Sequence, residues 1–373
     1  MGYDDGTDVL TDAGWIPWPN IAGNEMFGTV HPVSGELTYR TAVEVSHVRY
    51  DGPMYRVRSE QIDLLVTPAH PLWIQRADTR AARRGEQPYA LERADAVLHK
   101  RVRYQKTARW LAGSDADVVT PAASRHWVRS DNGAHCVRYY PEAVFPAHHF
   151  ARFLGYYLAE GSVNGHVIVL AQNRGPLLDK MAATVRALGL PAYIPTSGDG
   201  SVRTQCTSLR DLLATLGHSH DKVMPDIVGF WSADLARSLL DAMVEGDGTT
   251  HRGNGHRVIY TASPALADAL QVLAIKAGLS ANIRLDDRVG VERVMPGGQR
   301  FRNRRVCYVV SLVARRNRPL VNHGRHQPSR YWNAEGFHDG LEGYRGSVHS
   351  AVIDDALLLV RRGGKPVVVG AGS

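Results

Sequence analysis

Two stretches decide the reading of this 373-residue chain: FLGYYLAEGS at 153–162 and LLDAMVEGDGT at 239–249. Each reads as an apolar helix ending in an acid and a glycine, Glu160-Gly161 and Asp247-Gly248, 87 residues apart. The segments downstream of the two are alike: HVIVLAQN, LLDKMAATVRALGL and PAYI after the first, RVIYTAS, LADALQVLAIKAGL and SANI after the second. Both halves run helix, strand pair, helix, Gly-Leu turn, strand, which is an internal duplication. Gly161 and Gly248 suit the left-handed backbone that stops a helix. A carboxylate in the last turn faces the negative end of the helix dipole and costs stability. A costly feature placed twice at equivalent positions implies a use for the charge. Gly155 and Ala242 are small enough to let two such helices pack side by side and deliver both carboxylates to one spot. Adjacent carboxylates repel unless a cation lies between them, and the expected cation is one with oxygen ligands, most simply Mg²⁺.

These paired motifs resemble those of LAGLIDADG homing endonucleases. The resemblance implies an α+β endonuclease domain over 149–320, with two pseudo-symmetric αββαββα halves at about 149–222 and 223–320. It implies that Glu160 and Asp247 are catalytic and bind Mg²⁺ or Mn²⁺, one acid per active site. Gly155, Gly161, Ala242 and Gly248 would form the helix interface, and each half would lay a curved sheet along a DNA major groove, which is ~12 Å wide. Three departures stand out: Glu160 where the family more often has Asp, Ala242 where a glycine is usual, and Leu158 where the second motif has Glu245. The family adds a basic residue near each acid, and the candidates are Arg210, Arg315 (or Arg316) and Lys276. An arginine there acts by charge alone, since it does not exchange a proton. The ordinary reading of each, favoured over catalysis, is a phosphate clamp or a surface basic residue.

Charge supports a nucleic-acid partner. The formal net charge is +7 and the pI about 9.4. Residues 76–129 hold twelve Arg/Lys against six acids, and residues 284–330 hold twelve Arg against three, so the remainder is net acidic. Tyr89, Tyr104, Trp110, Trp127, Phe301, Tyr308, Tyr331 and Trp332 are interleaved with the arginines or adjoin them. Arginine forks match phosphate oxygens and the edge of guanine, although a solvated face in an arginine-using genome has the same look. At 44% hydrophobic and 22% charged, the chain is neither disordered nor collagen-like. No apolar run approaches the ~18 residues of a membrane span, so no membrane partner is expected. The first residues, MGYDDGTDVLTDAGW, read as neither signal nor transit peptide. Three scattered cysteines, Cys136, Cys206 and Cys307, argue against a disulfide framework. His148-His149 and His323/His326 are weak zinc candidates, lacking a third ligand.

The flanks read differently. Residues 1–75 are short alternating runs with Gly and Asp turns, an all-β pattern, and YRGSVHSAVIDDALLLVRRGGKPVVVG near the end reads as two or three strands around an RRGGKP turn. Thr67-Pro68-Ala69-His70, the VLTDAGW start and the VRRGGKPV tail resemble the two pieces of a Hint domain, the splicing fold of inteins. That resemblance implies a discontinuous all-β splicing domain, 1–75 and 321–373, with Thr67 and His70 polarising the peptide bond at the upstream junction. His349 and Ser350 lie where the family places residues assisting later steps. Residues 76–148 read as an added basic DNA-recognition or linker region, helical around ADAVLHKRV. Splicing needs a nucleophile at the first position and a cyclising Asn near the end. Here the start is Met1-Gly2-Tyr3 and Ala371 stands where Asn is expected, so no splicing is expected, whether the loss is natural or deliberate.

The expectation is therefore a multi-domain, mixed protein: an intein whose inserted endonuclease makes Mg-dependent double-strand cuts in a long target within the intein-less host gene. Its partners would be double-stranded DNA and the host extein protein. It would act as a cytoplasmic monomer in a bacterial or phage-infected cell. The alternative is the same fold keeping DNA binding without cleavage.

Overall fold

The computed structural model describes the chain except residues 85–86, 121–124, 130, 134, 199, 254, 295–299, 303, 325–328 and 373. His326 therefore lies outside the described residues. The chain divides into two units, residues 1–111, 274–284 and 311–373 in the first and residues 112–273 and 285–310 in the second. The division falls within the helix Pro264–Lys276 and the strands Ser280–Asp286 and Cys307–Val313. Among the described residues no helix is long and apolar enough to cross a membrane.

The first unit is mainly strand, and its two ends build one sheet. Thr7–Thr11 pairs antiparallel with Leu357–Arg362, with Val9 opposite Val360. Leu357–Arg362 turns at Gly363-Gly364 into Lys365–Gly370. The RRGGKP hairpin is thus formed as the sequence suggests, with both turn residues at positive φ. Glu44–Arg58 pairs along its length with Asp339–Val352, and these strands with Tyr3–Asp4 and Asp63–Val66 close a small barrel. The core interleaves the two ends: Tyr3, Val9, Trp18, Tyr55, Val66, Leu358, Val360, Val367 and Val369 are fully buried together. Each such side chain is worth roughly 1.5–3 kcal/mol on burial, so neither end segment covers its apolar face without the other. Arg362 ties them further, bonding Asp4 at 3.0 Å and Asp63 at 2.9 Å.

The basic stretch does not form a separate region. Residues 76–111 belong to the first unit and those from 112 to the second. ADAVLHKRV is not a helix either. A single 3-10 turn, Asp95–Val97, precedes His99 at φ 61, and Val102–Tyr104 then joins the strand Pro71–Arg76. Burying Val102 and Tyr104 on one face of a sheet overrides the local helical preference.

After a one-turn helix α1 (Arg80–Arg83), the remaining helices are α2 (Ala147–Glu160), α3 (Pro176–Ala187), α4 (Thr207–Ala214), α5 (Ala233–Asp247) and α6 (Pro264–Lys276). The duplication is visible in their order. In the first half α2 is followed by strands Gly161–Asn164 and Val167–Ala171, α3, strand Ser201–Thr204 and α4. In the second, α5 is followed by Gly248–Thr250, Arg257–Thr261, α6, Ser280–Asp286 and Cys307–Val313, with a small hairpin, Glu292–Val294 and Arg300–Arg302, before the last strand. Both halves close their second helix alike: Leu190 N donates to Val185 O after α3, and Leu279 N to Ala274 O after α6.

Two departures from αββαββα are clear. The expected strand after α3 shrinks to one bridge, Tyr193 to Arg203. Among the described residues no helix follows Cys307–Val313; ARRNRP has no apolar period, and Leu320–Val321 instead pairs with Val102–Tyr104. Nor are Gly161 and Gly248 left-handed. Their φ values are −90° and −99°, because each helix runs straight into an extended strand. Glycine is needed there for space: an added Cβ would lie 2.5 Å from the Tyr157 or Val244 Cα.

Gly155 marks the closest approach of α2 and α5. A Cβ there would lie 2.5 Å from Leu239 O and 2.7 Å from Ala242 Cβ. Alanine normally gains up to ~1 kcal/mol over glycine inside a helix. Gly155→Ala is nonetheless expected to lose about 1–3 kcal/mol in urea denaturation, as overpacking does. A stabilised variant would disprove the close contact.

Candidate active site

The site is built by two buried helices. α2 is buried along most of its length: Phe150, Ala151, Phe153, Leu154, Gly155, Tyr156, Tyr157 and Leu158 are all buried. α5 buries Leu235, Ala236, Leu239, Leu240, Ala242, Met243 and Val244, and Ser232 caps its start by accepting from Leu235 N at 3.3 Å. Packed through Gly155 and Ala242, the two helices end together. Their last residues are Glu160 and Asp247.

Glu160 feels the charge of Asp247. Burial first, then the charge of Asp247, pushes the Glu160 carboxyl up to about 6. Burial also raises Asp247. A Cβ built on Gly246 would lie 3.7 Å from Glu160 Cγ, so the glutamate stem rests on the backbone just before Asp247.

The third charge is Lys222, which no motif in the sequence marks. It is 6% exposed, and its Nζ donates to the carbonyls of Tyr157 at 2.8 Å and of Leu158 and Gly161 at 3.0 Å. These are carbonyls at the α2 terminus, where a cation satisfies both orphan acceptors and dipole. Burial lowers Lys222 to about 8, while Glu160 and Asp247 act the other way. Composition holds a signal for it: Lys222 is the one lysine between 181 and 275 in an arginine-rich chain. A lysine retained there suits a tight cage of carbonyls, which a planar guanidinium would not fit.

The other candidates lie elsewhere. Arg210 is buried in α4, bonded to His166 at 2.9 Å and Asp211 at 2.8 Å. Lys276 belongs to the first unit, its Nζ 4.2 Å from the Trp110 ring centroid, and burial lowers it to about 8. Arg315 lines a cavity of the first unit. Glu245, the acid that breaks the symmetry with Leu158, is a structural tie: Arg152, Tyr156 and Lys180 bond it at 2.8, 2.6 and 2.6 Å. His148 and His149 are exposed. Among the described residues no group of three or more His, Cys, Asp or Glu is placed to hold a metal. The oxygen pair Glu160 and Asp247, both disfavouring their charged forms, is the donor set that suits a hard divalent cation.

In the first unit, Thr67 Oγ1 accepts from Gly2 N at 3.0 Å, and Thr67 N donates to Gly2 O at 3.0 Å. His70 is fully buried, edge-on to Tyr3 at 4.4 Å. Burial first, then the amino group of Met1, pushes it down to about 3, so it is a neutral imidazole. Tyr3 Oη donates to Gly370 O at 2.7 Å, and Ala371 packs on the same core. His349 bridges Asp5 at 2.7 Å and His47 at 2.6 Å.

No protein-family model matches the chain. It is 23% identical over 293 residues to an ATP-dependent Clp protease proteolytic subunit of Chlamydomonas moewusii, covering 74% of this chain and 28% of that protein. It is 24% identical over 417 aligned positions to the C-terminal section of a DNA-directed RNA polymerase β subunit of Stigeoclonium helveticum, covering 97% and 36%. The chain thus spans about a third of the length of these relatives. Among solved structures, mesophilic variants of the homing endonuclease I-DmoI share 13% identity at a TM-score of 0.33, covering 46% of this chain and 91% of that one. I-DmoI in complex with DNA and Mn shares 15% at 0.32, covering 46% and 92%. Full-length DUF199/WhiA from Thermatoga maritima shares 10% at 0.31, covering 46% and 52%.

The strained acid pair has a pH signature. Glu160 moves from 4.5 up to about 6 on folding, so its contribution is fully present below 4.5 and is lost as pH rises through 6. Metal-free Glu160→Gln is therefore expected to melt above the wild type at pH 8, with the gap closing by pH 4. Millimolar Mg²⁺ at pH 8 should raise the melting temperature of the wild type and not of the Glu160→Gln/Asp247→Asn double variant. Equal melting of Glu160→Gln and wild type at pH 8 would remove the electrostatic argument.

Proposed function

We propose that the second unit is a LAGLIDADG-type DNA endonuclease and that the chain is an intein carrying it. The observation that carries the nuclease reading is the convergence of Glu160 and Asp247 at two closely packed helix ends, with Lys222 beside them. The substrate is double-stranded DNA, cut once per strand, and one chain supplies both halves, so a monomer suffices. In this reading the endonuclease is the part of residues 149–320 that lies in the second unit, 149–273 and 285–310.

Glu160 and Asp247 would hold the divalent cation, Mg²⁺ or Mn²⁺, which would supply Lewis acidity to phosphate oxygens. The protein's own part is positioning. The two carboxylates orient the attacking water. Lys222 offsets the negative charge that gathers there.

Two things support the intein layout. First, the two curated relatives are a protease subunit and a polymerase subunit, with unlike activities, and this chain matches about a third of each. A segment shared by otherwise unlike proteins is what an inserted element leaves. Second, the first unit gathers Thr67, His70, Tyr3 and Gly370 around residues 1–2, as a splicing site requires. The cytoplasm of the cell whose gene it interrupts is its place of action.

The test is cleavage of a duplex bearing the uninterrupted host gene, or of a randomised duplex library, with Mg²⁺ and with EDTA. Metal-dependent cutting is expected, falling by about 10²–10³-fold or more in Glu160→Gln, Asp247→Asn and Lys222→Met. Tight binding with no cutting by the wild type would overturn the nuclease and leave the DNA-binding reading.

A further inference from the structure

Arg315, Arg316, Arg318 and Arg330 share one cavity of about 630 Å³ in the first unit. That volume is in the range, roughly 300–1,000 Å³, of ordinary ligand sites. Among its described lining residues Glu60 is the one carboxylate, and Arg316 takes it at 3.2 Å. Arg318 lies 5.8 Å from the Tyr89 ring centroid and Arg330 4.9 Å from that of Tyr331. Stacking on a ring orients a guanidinium without neutralising it. His323, also lining the cavity, has a buried Nδ1 with no partner among the described residues. Three like charges around one cavity repel, and an anion between them relieves that cost. Guanidinium forks match phosphate oxygens in pairs.

We propose that this cavity binds phosphate groups of the DNA backbone, as a second contact surface apart from Glu160 and Asp247. The inference rests on the DNA reading under Proposed function. All four arginines are exposed, so a phosphate reaches them without entering the core, which suits a polymer's backbone rather than an enclosed small molecule. Contacts of this kind hold the duplex in register and carry no base information.

The test uses the full chain in EDTA, so binding is read without cleavage and survives a failure of the nuclease reading. Binding to a 30-base-pair random duplex is measured against KCl concentration for wild type and for the Arg315→Gln/Arg318→Gln/Arg330→Gln variant. Each lost phosphate contact removes about 0.9 from the log–log salt slope. The expected result is a slope shallower by about 2–3 and an affinity at least ~10-fold weaker at 0.1 M salt, with an unchanged melting temperature. If the triple variant also loses its fold, Arg315→Gln and Arg330→Gln are read singly, each expected to cost about one unit of slope. An unchanged slope overturns the proposal. So does a cavity that takes tripolyphosphate or ATP, lost in the variant, while duplex binding stays intact.

Discussion

The rest of the second unit depends on the contact at Gly155, where two helices meet with no side chain between them. That contact is what sets Glu160 beside Asp247. It does so against electrostatics, since two negative helix ends and two carboxylates converge. The opposing gain is apolar. Phe150, Phe153, Leu154, Leu239, Leu240 and Met243 are buried, each worth roughly 1.5–3 kcal/mol. Several such terms outweigh an acid pair in which burial and the charge of Asp247 push Glu160 only up to about 6. Lys222 trims the remainder by filling the carbonyl cage at the end of α2.

The first unit solves a different problem. Its core needs residues from both ends of the chain, because Val9 faces Val360 across one ladder and Tyr3 reaches Gly370. Arg362, between Asp4 and Asp63, adds a largely buried charged joint to the same seam. Removing one partner of such a joint costs about 3–5 kcal/mol, so the seam is specified by charge as well as by shape. A sheet of this kind leaves the middle of the chain free to carry another unit.

Periodic features are legible in the sequence and non-local ones are not. The two acid-Gly helices, the helices after them and the RRGGKP hairpin rest on local pattern, and the structure has each of them. The helix-stop rule misreads Gly161 and Gly248 because it is local, whereas their need for space comes from the turn beneath and, at Gly248, from the carbonyl of Val258. ADAVLHKRV looks helical by composition, but its valines are claimed by the core and a sheet. The second half loses its last helix for the same reason: Val321 pairs across to Val102. Lys222 escapes because its partners are three carbonyls more than sixty residues away. No spacing rule reaches that far, and only the scarcity of lysine points to it.

The duplication is symmetric in order and unequal in charge. Lys222 cages the end of α2, while Glu245, two residues before the end of α5, is engaged by Arg152, Tyr156 and Lys180. The first motif has Leu158 at the matching place, and a leucine cannot make such a tie. Glu160 is pushed to about 6 with Asp247 among the causes, whereas Asp247 is raised by burial alone and relieved by Lys222. The two acids thus sit in unlike electrostatic surroundings. Sequence repeats make the frame, and the differences between the copies set the charges that surround each carboxylate.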